Sequence, residues 1–266
     1  MAYLKSNRAL TGPAANLAQQ FADLSTLAAL PGVSKLVSMH PAYVTEAAAE
    51  IVSVRNHAND ADPFTQNTVG RAPVLDYDAD LGRKTALFDV AQNRFMQSAA
   101  GFNWAGPHTV ATVCRADVVV GDLFQSILGD HSAVTPDTAS IVAQNDAGEN
   151  RVVNRTGTLP GGAQYAKQVY GGGWVLIVAV SDGASETGIS LNGGPFDRQT
   201  IVTMPSSGVT DFLLGHSVAG NGLAGAMDFA LGVEGHDWST PANASLLAVL
   251  FNYIRTAYGT QIPMTA

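Results

Sequence analysis

Apolar residues change their spacing along this chain, and each change marks an element. Between Pro13 and Pro31-Gly32, Leu17, Phe21, Leu24 and Ala28 recur every three or four positions, with Asn16, Gln19, Gln20 and Asp23 between them. That spacing predicts an amphipathic helix, opened by Pro13 and stopped by Pro31-Gly32. From Glu50 the period falls to two. Ile51–Val54, Arg71–Asp76, Thr85–Asp89 and Arg94–Gln97 are predicted strands, and the polar residues 56–70 a long loop. Residues 129–173 are richest in turn formers, with Pro136-Asp137, Pro160-Gly-Gly162 and Gly171-Gly-Gly173 around short strands at Ser140–Ala143 and Arg151–Val153.

Two stretches are apolar without alternation. Thr109–Arg115 reads as a buried strand. Trp174-Val-Leu-Ile-Val-Ala-Val180 is apolar on both faces, as an interior strand covered on each side must be. It breaks at Ser181-Asp182-Gly183, and a second strand then ends on Asn192-Gly193, which supplies the positive backbone angles of a tight hairpin. Phe212–Gly215 and Leu223–Ala230 follow. The chain closes in a helix striped by Leu247, Leu250, Phe251, Ile254 and Tyr258, with Thr240 as N-cap, Pro241 in the first turn and Gly259 at the far end. Closely spaced strands separated by Gly, Asn, Asp and Pro predict an all-β antiparallel sandwich or barrel. The partition is a helical arm over residues 1–40 and a β domain over 41–266 that ends in a helix.

Composition narrows the partners. Apolar residues make up 46% and charged residues 14%, enough to bury a core. A net charge of -8 and the lack of any basic run argue against nucleic acid. No stretch approaches the ~20 apolar residues of a membrane helix, and Met1-Ala-Tyr-Leu-Lys-Ser shows no apolar core of a secretion signal, so synthesis in a cytoplasm is expected. The single cysteine, Cys114, excludes an internal disulfide and a CxxC site and reads as a small core residue.

The ordered set of motifs resembles the laminin-G-like members of the concanavalin A-like superfamily, of the kind found in bacteriophage virion proteins. Arg71-Ala-Pro-Val-Leu75, Leu87-Phe-Asp89 and Phe95-Met96 match its early strands, and His108–Arg115 a central one. Trp174, Ser181-Asp-Gly183 and Asn192-Gly193 match its "W.l...sDG....l..NG" stretch, and Phe212–Gly215 with Gly225–Gly232 its last strands. The match covers residues 50–258. It implies a jelly-roll β-sandwich on the virion surface, decorating the capsid or forming part of the tail, with other virion proteins as partners and a symmetric homo-oligomer as its state. Residues 1–40 lie outside the match. Leu17, Phe21 and Leu24 of their helix are expected either to attach the module to a neighbour or to pack on their own sandwich. As an attachment arm, residues 1–40 should be removable without unfolding the rest.

Enzyme chemistry in this superfamily needs motifs that are absent. Sandwich glucanases place carboxylates on one strand as Glu-x-Asp-x-x-Glu, and no such run exists here. Tyr165-Ala-Lys167 matches one strand of sandwich lyases without its partner motifs, and no G-x-S-x-G elbow activates a serine. The expectation is a non-enzyme, with a polysaccharide depolymerase the least favoured alternative. Asp76, Asp78 and Asp80 begin like a calcium loop, but Leu81 and Leu87 occupy the positions where an EF-hand needs Gly and Glu. They stay weak candidates for a rim Ca2+ site, against an acidic edge strand that discourages aggregation. Host surface polysaccharide is the live ligand class. Trp104 beside Asn103, and Trp238 beside Asp237, sit in loop-like contexts and are candidates either for stacking a sugar or for packing at the rim.

Overall fold

The computed structural model describes residues 23–117, 124–130, 139–146, 148–157, 165–204, 208–216 and 222–265. Leu17 and Phe21 lie outside them. Residues 23–28 are helical (α1). The strands in chain order are β1 (Val33–Ser38), β2 (Val44–Ala47), β3 (Glu50–Val54), β4 (Phe64–Thr65), β5 (Val74–Asp78), β6 (Arg83–Phe88), β7 (Met96–Asn103), β8 (His108–Ala116), β9 (Phe124–Asp130), β10 (Ser140–Asp146), β11 (Glu149–Asn154), β12 (Ala166–Val169), β13 (Val175–Ser181), β14 (Glu186–Leu191), β15 (Asp197–Thr200), β16 (Val209–Leu214) and β17 (Gly225–Glu234). Helix α2 (Ala244–Tyr258) follows.

Every pairing among these strands is antiparallel, and the pairings form two runs. In the first, β17 pairs β8, β8 pairs β13, and β14 and β15 follow; the other edge of β17 takes β6 with β5 along one half and β1 along the other. In the second, β2, β3, β4, β7, β16, β9, β10, β11 and β12 succeed one another. A bridge between Glu50 and Val74 joins the runs at one edge. The result is an all-β sandwich with helices laid over its first sheet.

Alternation along β13 shows the layering. Val175, Ile177 and Ala179 belong to the cluster between the sheets, which also holds Phe64, Met96, Ile127, Val152 and Phe212. Leu176, Val178 and Val180 belong to a second cluster with Leu250, Tyr253, Ile254 and Tyr258 of α2 and Leu24 and Leu27 of α1. The unbroken apolar run is thus an interior strand covered on both sides, because a period of two sends alternate residues into different cores. Asn192 and Gly193 adopt φ of 52° and 75° in a turn closed by the Gly194 amide donating to Leu191 O; the strands around it pair no nearer than Ile189–Asp197, so the expected tight hairpin is a wider loop. Gly232 in β17 leaves room between the sheets: a Cβ there would stand 2.9 Å from the rings of both Phe102 and Phe212.

Residues 23–38 differ from the expected arm, and the boundary at residue 40 is corrected. β1 lies in the first sheet, with Val37 opposite Ala230 and Leu36 opposite Leu231. Leu24 and Leu27 are fully buried against that sheet. Leu24 is therefore a core residue of its own sandwich, the second of the two expected roles.

The start of α2 also differs. A 3-10 turn at Pro241–Asn243 precedes it, and Thr240 makes no side-chain cap. Asp237 organises this corner instead: its carbonyl accepts from Thr240 Oγ1 at 3.1 Å and Asn243 Nδ2 at 2.9 Å. At the other end Tyr258 donates its hydroxyl to Asp228 at 2.8 Å, while the Arg83 guanidinium lies 4.2 Å from the Tyr258 ring and donates to Ala257 O. Asp228 sits where the β17–β8 register shifts. Burial pushes its carboxyl above the usual range, and nearby Arg83 and the Tyr258 hydroxyl partly offset that.

One charged side chain crosses the interior. Lys35 of β1 donates to Asp62 at 2.5 Å, Ser98 Oγ at 2.5 Å and the Ala100 carbonyl at 2.7 Å, and both charges are almost fully buried. It ties the first sheet to β7 of the second. Burial pushes the Asp62 carboxyl up, but hydrogen bonds from Lys35, the Ala100 amide and Ser98 outweigh it and hold the group below the ordinary range. Asp62 therefore contributes stability that is present above the unfolded carboxylate value of ~3.9 and is lost as pH falls through the lower folded value.

Urea titration will show Lys35→Ala destabilised by about 3–5 kcal/mol, because one charge is left buried alone, and Lys35→Met with Asp62→Leu destabilised far less. Below pH ~3.9 the gap between wild type and the double variant narrows. Deleting residues 1–40 removes β1 and part of the helix-side core, so circular dichroism and melting will show a chain that no longer folds cooperatively.

Candidate functional site

The residues expected to bind a sugar are held inside the molecule. Trp104 is 1% exposed. Its ring stacks on Phe212 at 5.3 Å and meets Phe102 and His108 edge-on at 4.7 and 5.6 Å. Asn103 beside it accepts from the amides of Ala105 and Gly106 and so shapes the turn into β8. Trp238 is fully buried in the helix-side core, and its amide donates to Thr109 Oγ1 at 2.9 Å. Asp237 is buried at the corner that leads into α2. A stacking platform must offer a ring face to solvent. Neither tryptophan does, so the expectation of a sugar platform at Trp104 and Trp238, flanked by Asn103 and Asp237, is corrected to packing. Trp174 is core, as expected, and donates from Nε1 to Asp78.

The three aspartates divide. Asp76 is exposed. Asp78 is buried, pairs with Arg115 at 2.7 Å and accepts from the Leu81 amide. Asp80 is exposed and reaches the same Arg115 at 3.4 Å. Two of the three are thus engaged with one guanidinium, and no group of three His, Cys, Asp or Glu side chains able to hold a metal occurs among the described residues.

Among the described residues, aromatic rings gather near the surface in more than one place. In the first, His57 meets Tyr43 edge-on at 4.5 Å and His40 lies 5.6 Å from the same ring. Tyr43 packs against the helix-side core, and Arg55 beside it is committed to Asp60 by two bonds of 2.7 and 2.8 Å. Burial and then Arg55 push the His57 imidazole down to about 4, so it is neutral at neutral pH.

The second cluster lies on the outer face of the second sheet. Ala143 and Val152 face the inter-sheet core. Their strand neighbours Gln144 and Arg151, paired across β10 and β11, therefore face outward, and Phe124 opposite Gln144 does too. The β11–β12 ladder ends at Asn154–Ala166. Asn154 points inward, donating to Val180 O, Thr187 Oγ1 and Gly188 O of the first sheet. Arg155 and Tyr165 lie one residue beyond these strand ends, on the side of the outward-facing Phe124. The Arg155 guanidinium carbon lies 4.9 Å from the Phe124 ring and 5.5 Å from the Tyr165 ring. All three side chains are half-buried.

The neighbouring charges on this face are paired. Lys167 is bonded to Asp146, and Arg151 to Glu149 and, more loosely, to Asp146. Arg155 has ring contacts but no hydrogen bond or ion pair with the described residues. Sequence reading missed this cluster because its members stand at 124, 155 and 165, and only the sheet register brings them together. The one available signal was Tyr165 in a strand context, read only against the lyase motif.

Two groups able to do covalent chemistry are shut away. Cys114 is fully buried and burial pushes its thiol up to about 12. His108 is fully buried and burial pushes its imidazole down to about 4.

No protein-family model matches the chain, and no curated protein matches it. Among solved structures it is similar to the binding domain of Paraclostridial Mosquitocidal Protein 1, with a TM-score of 0.50 and 10% identity over 83% of this chain and 52% of that one. It is also similar to Trypanosoma rangeli sialidase in complex with the inhibitor DANA, with a TM-score of 0.51 and 12% identity over 90% of this chain and 38% of that one. The chain thus spans about half of the first protein and under two fifths of the second. At these identities the likeness is one of fold: an antiparallel β-sandwich.

Replacing Trp104 tests its place in the core. Trp104→Ala will lower stability by about 3–5 kcal/mol in urea unfolding, a loss a surface platform would not show.

Proposed function

We propose that this protein is a non-enzymatic, lectin-like module that holds a glycan against the outer face of its second sheet. The observation that carries this reading is the cluster of Phe124, Tyr165 and Arg155, where two half-buried rings flank a guanidinium with no hydrogen bond or ion pair among the described residues. A pyranose offers an apolar face to such rings and hydroxyls to the polar groups around them. The fold agrees with this use. One similar structure is named as the binding domain of a toxin, and the other is a sialidase holding an inhibitor. The absence of a catalytic role is supported by the burial of His108 and Cys114 and by the engagement of Asp62, Asp78 and Asp146 in ion pairs.

With the sequence resemblance, we place this module on a phage particle, in a capsid decoration or the tail. The finer jelly-roll connection belongs to the same reading. A homo-oligomer there would multiply weak sugar contacts by avidity, since linked sites rebind at high effective concentration.

A glycan array probed with the full chain tests the reading. Wild type will bind a subset of surface polysaccharides. Tyr165→Ala and Phe124→Ala will each lose at least about tenfold in affinity, about 1.4 kcal/mol, with unchanged melting. Binding that survives both substitutions, or no binding by wild type, overturns it.

A further inference from the structure

We propose that Arg155 makes this site selective for a sugar that carries a carboxylate. The inference rests on the glycan-binding reading and names its ligand class.

The argument starts from what the guanidinium lacks. Arg carries five N–H donors and stays charged at all working pH values. Among the described residues the other half-buried arginines each have an acceptor: Arg83 approaches Asp228 at 3.5 Å, Arg94 donates to Gln92 Oε1 at 2.7 Å, Arg115 meets Asp78, Arg151 meets Glu149 and Arg198 meets Glu186. Among the described residues Arg155 has two rings and no acceptor. Ring contacts satisfy the face of the guanidinium and leave its in-plane donors uncommitted. They also restrict its rotamers, so less entropy is lost when an acceptor arrives.

Charge bookkeeping on the same face points the same way. Lys167 and Arg151 are matched to Asp146 and Glu149, which leaves the charge of Arg155 as the local excess. The whole chain carries -8 and would repel an anion at long range. Screening over about 8 Å at physiological salt removes most of that repulsion, so the nearest charge decides. A planar fork with free donors fits a carboxylate through two parallel bonds. The flanking rings supply an apolar surface for the sugar ring to which that carboxylate is attached. A bare anion would leave the rings unused, and a neutral sugar would leave the guanidinium unused.

The test uses the full chain and immobilised oligogalacturonate, compared with the same oligomer as its methyl ester. An array of sialylated, sulfated and neutral glycans runs beside it. Wild type is expected to bind carboxylate-bearing glycans about tenfold or more tighter than their esterified or neutral counterparts, with affinity falling as salt rises. Arg155→Gln is expected to erase that ratio while melting as wild type does, and Arg155→Lys to retain part of it. Equal binding of acid and ester, a preference for sulfated glycans over carboxylated ones, or an unchanged ratio in Arg155→Gln overturns the selectivity and leaves glycan binding standing. No binding to any glycan overturns the glycan reading and the selectivity with it.

Discussion

Double burial of the first sheet is the constraint on which the rest of this structure depends. Its central strands, β17, β8 and β13, send alternate residues into two separate cores, one shared with the second sheet and one with the helices. A strand in that position has almost no room for free polar side chains. The few polar groups that enter are tied to definite partners: Thr112 to the Phe229 carbonyl, Asn154 to the edge of β13 and β14, Lys35 to Asp62. Burying an unpaired charge or amide there would cost several kcal/mol. The outer face of the second sheet is more open around Phe124, Arg155 and Tyr165, which are half-buried, although Val142 and Val153 on that face are buried.

The same constraint explains why the helices are part of the domain. A two-sheet sandwich with one apolar outer face is incomplete in water. Helix α2 and the helical residues 23–28 supply the missing layer, with Leu24, Leu27, Leu250, Ile254 and Tyr258 as the contact. The polar clasp of Arg83, Asp228 and Tyr258 then fixes where α2 ends. Gly232 performs the matching task between the sheets. Its bare backbone lets Phe102 and Phe212 close on β17, and they in turn hold Trp104.

Much of this was legible in the chain itself. The run from Trp174 to Val180 announced a strand covered on both faces, Asn192-Gly193 the turn after β14, and the stripe from Leu250 to Tyr258 the closing helix. These features are local, and each is dictated by a period or a turn geometry. Trp104 and Trp238 were harder to place. Asn103, Gly106 and Asp237 make their surroundings read as loops, and loops usually lie outside, yet a side chain leaving a loop can still turn inward to fill a core. The cluster of Phe124, Arg155 and Tyr165 was out of reach for another reason. Its members are joined by strand register across β9, β10, β11 and β12, a long-range quantity that no single stretch of sequence encodes.

Cys114 illustrates what such packing brings with it. It is the chain's one thiol, it sits on β8 between the sheets, and no solvent touches it. Any reagent that alkylates sulfur must wait for the layers to part. The rate of labelling is therefore a clock for the opening of the whole sandwich, readable from a single mass increment without any engineered probe.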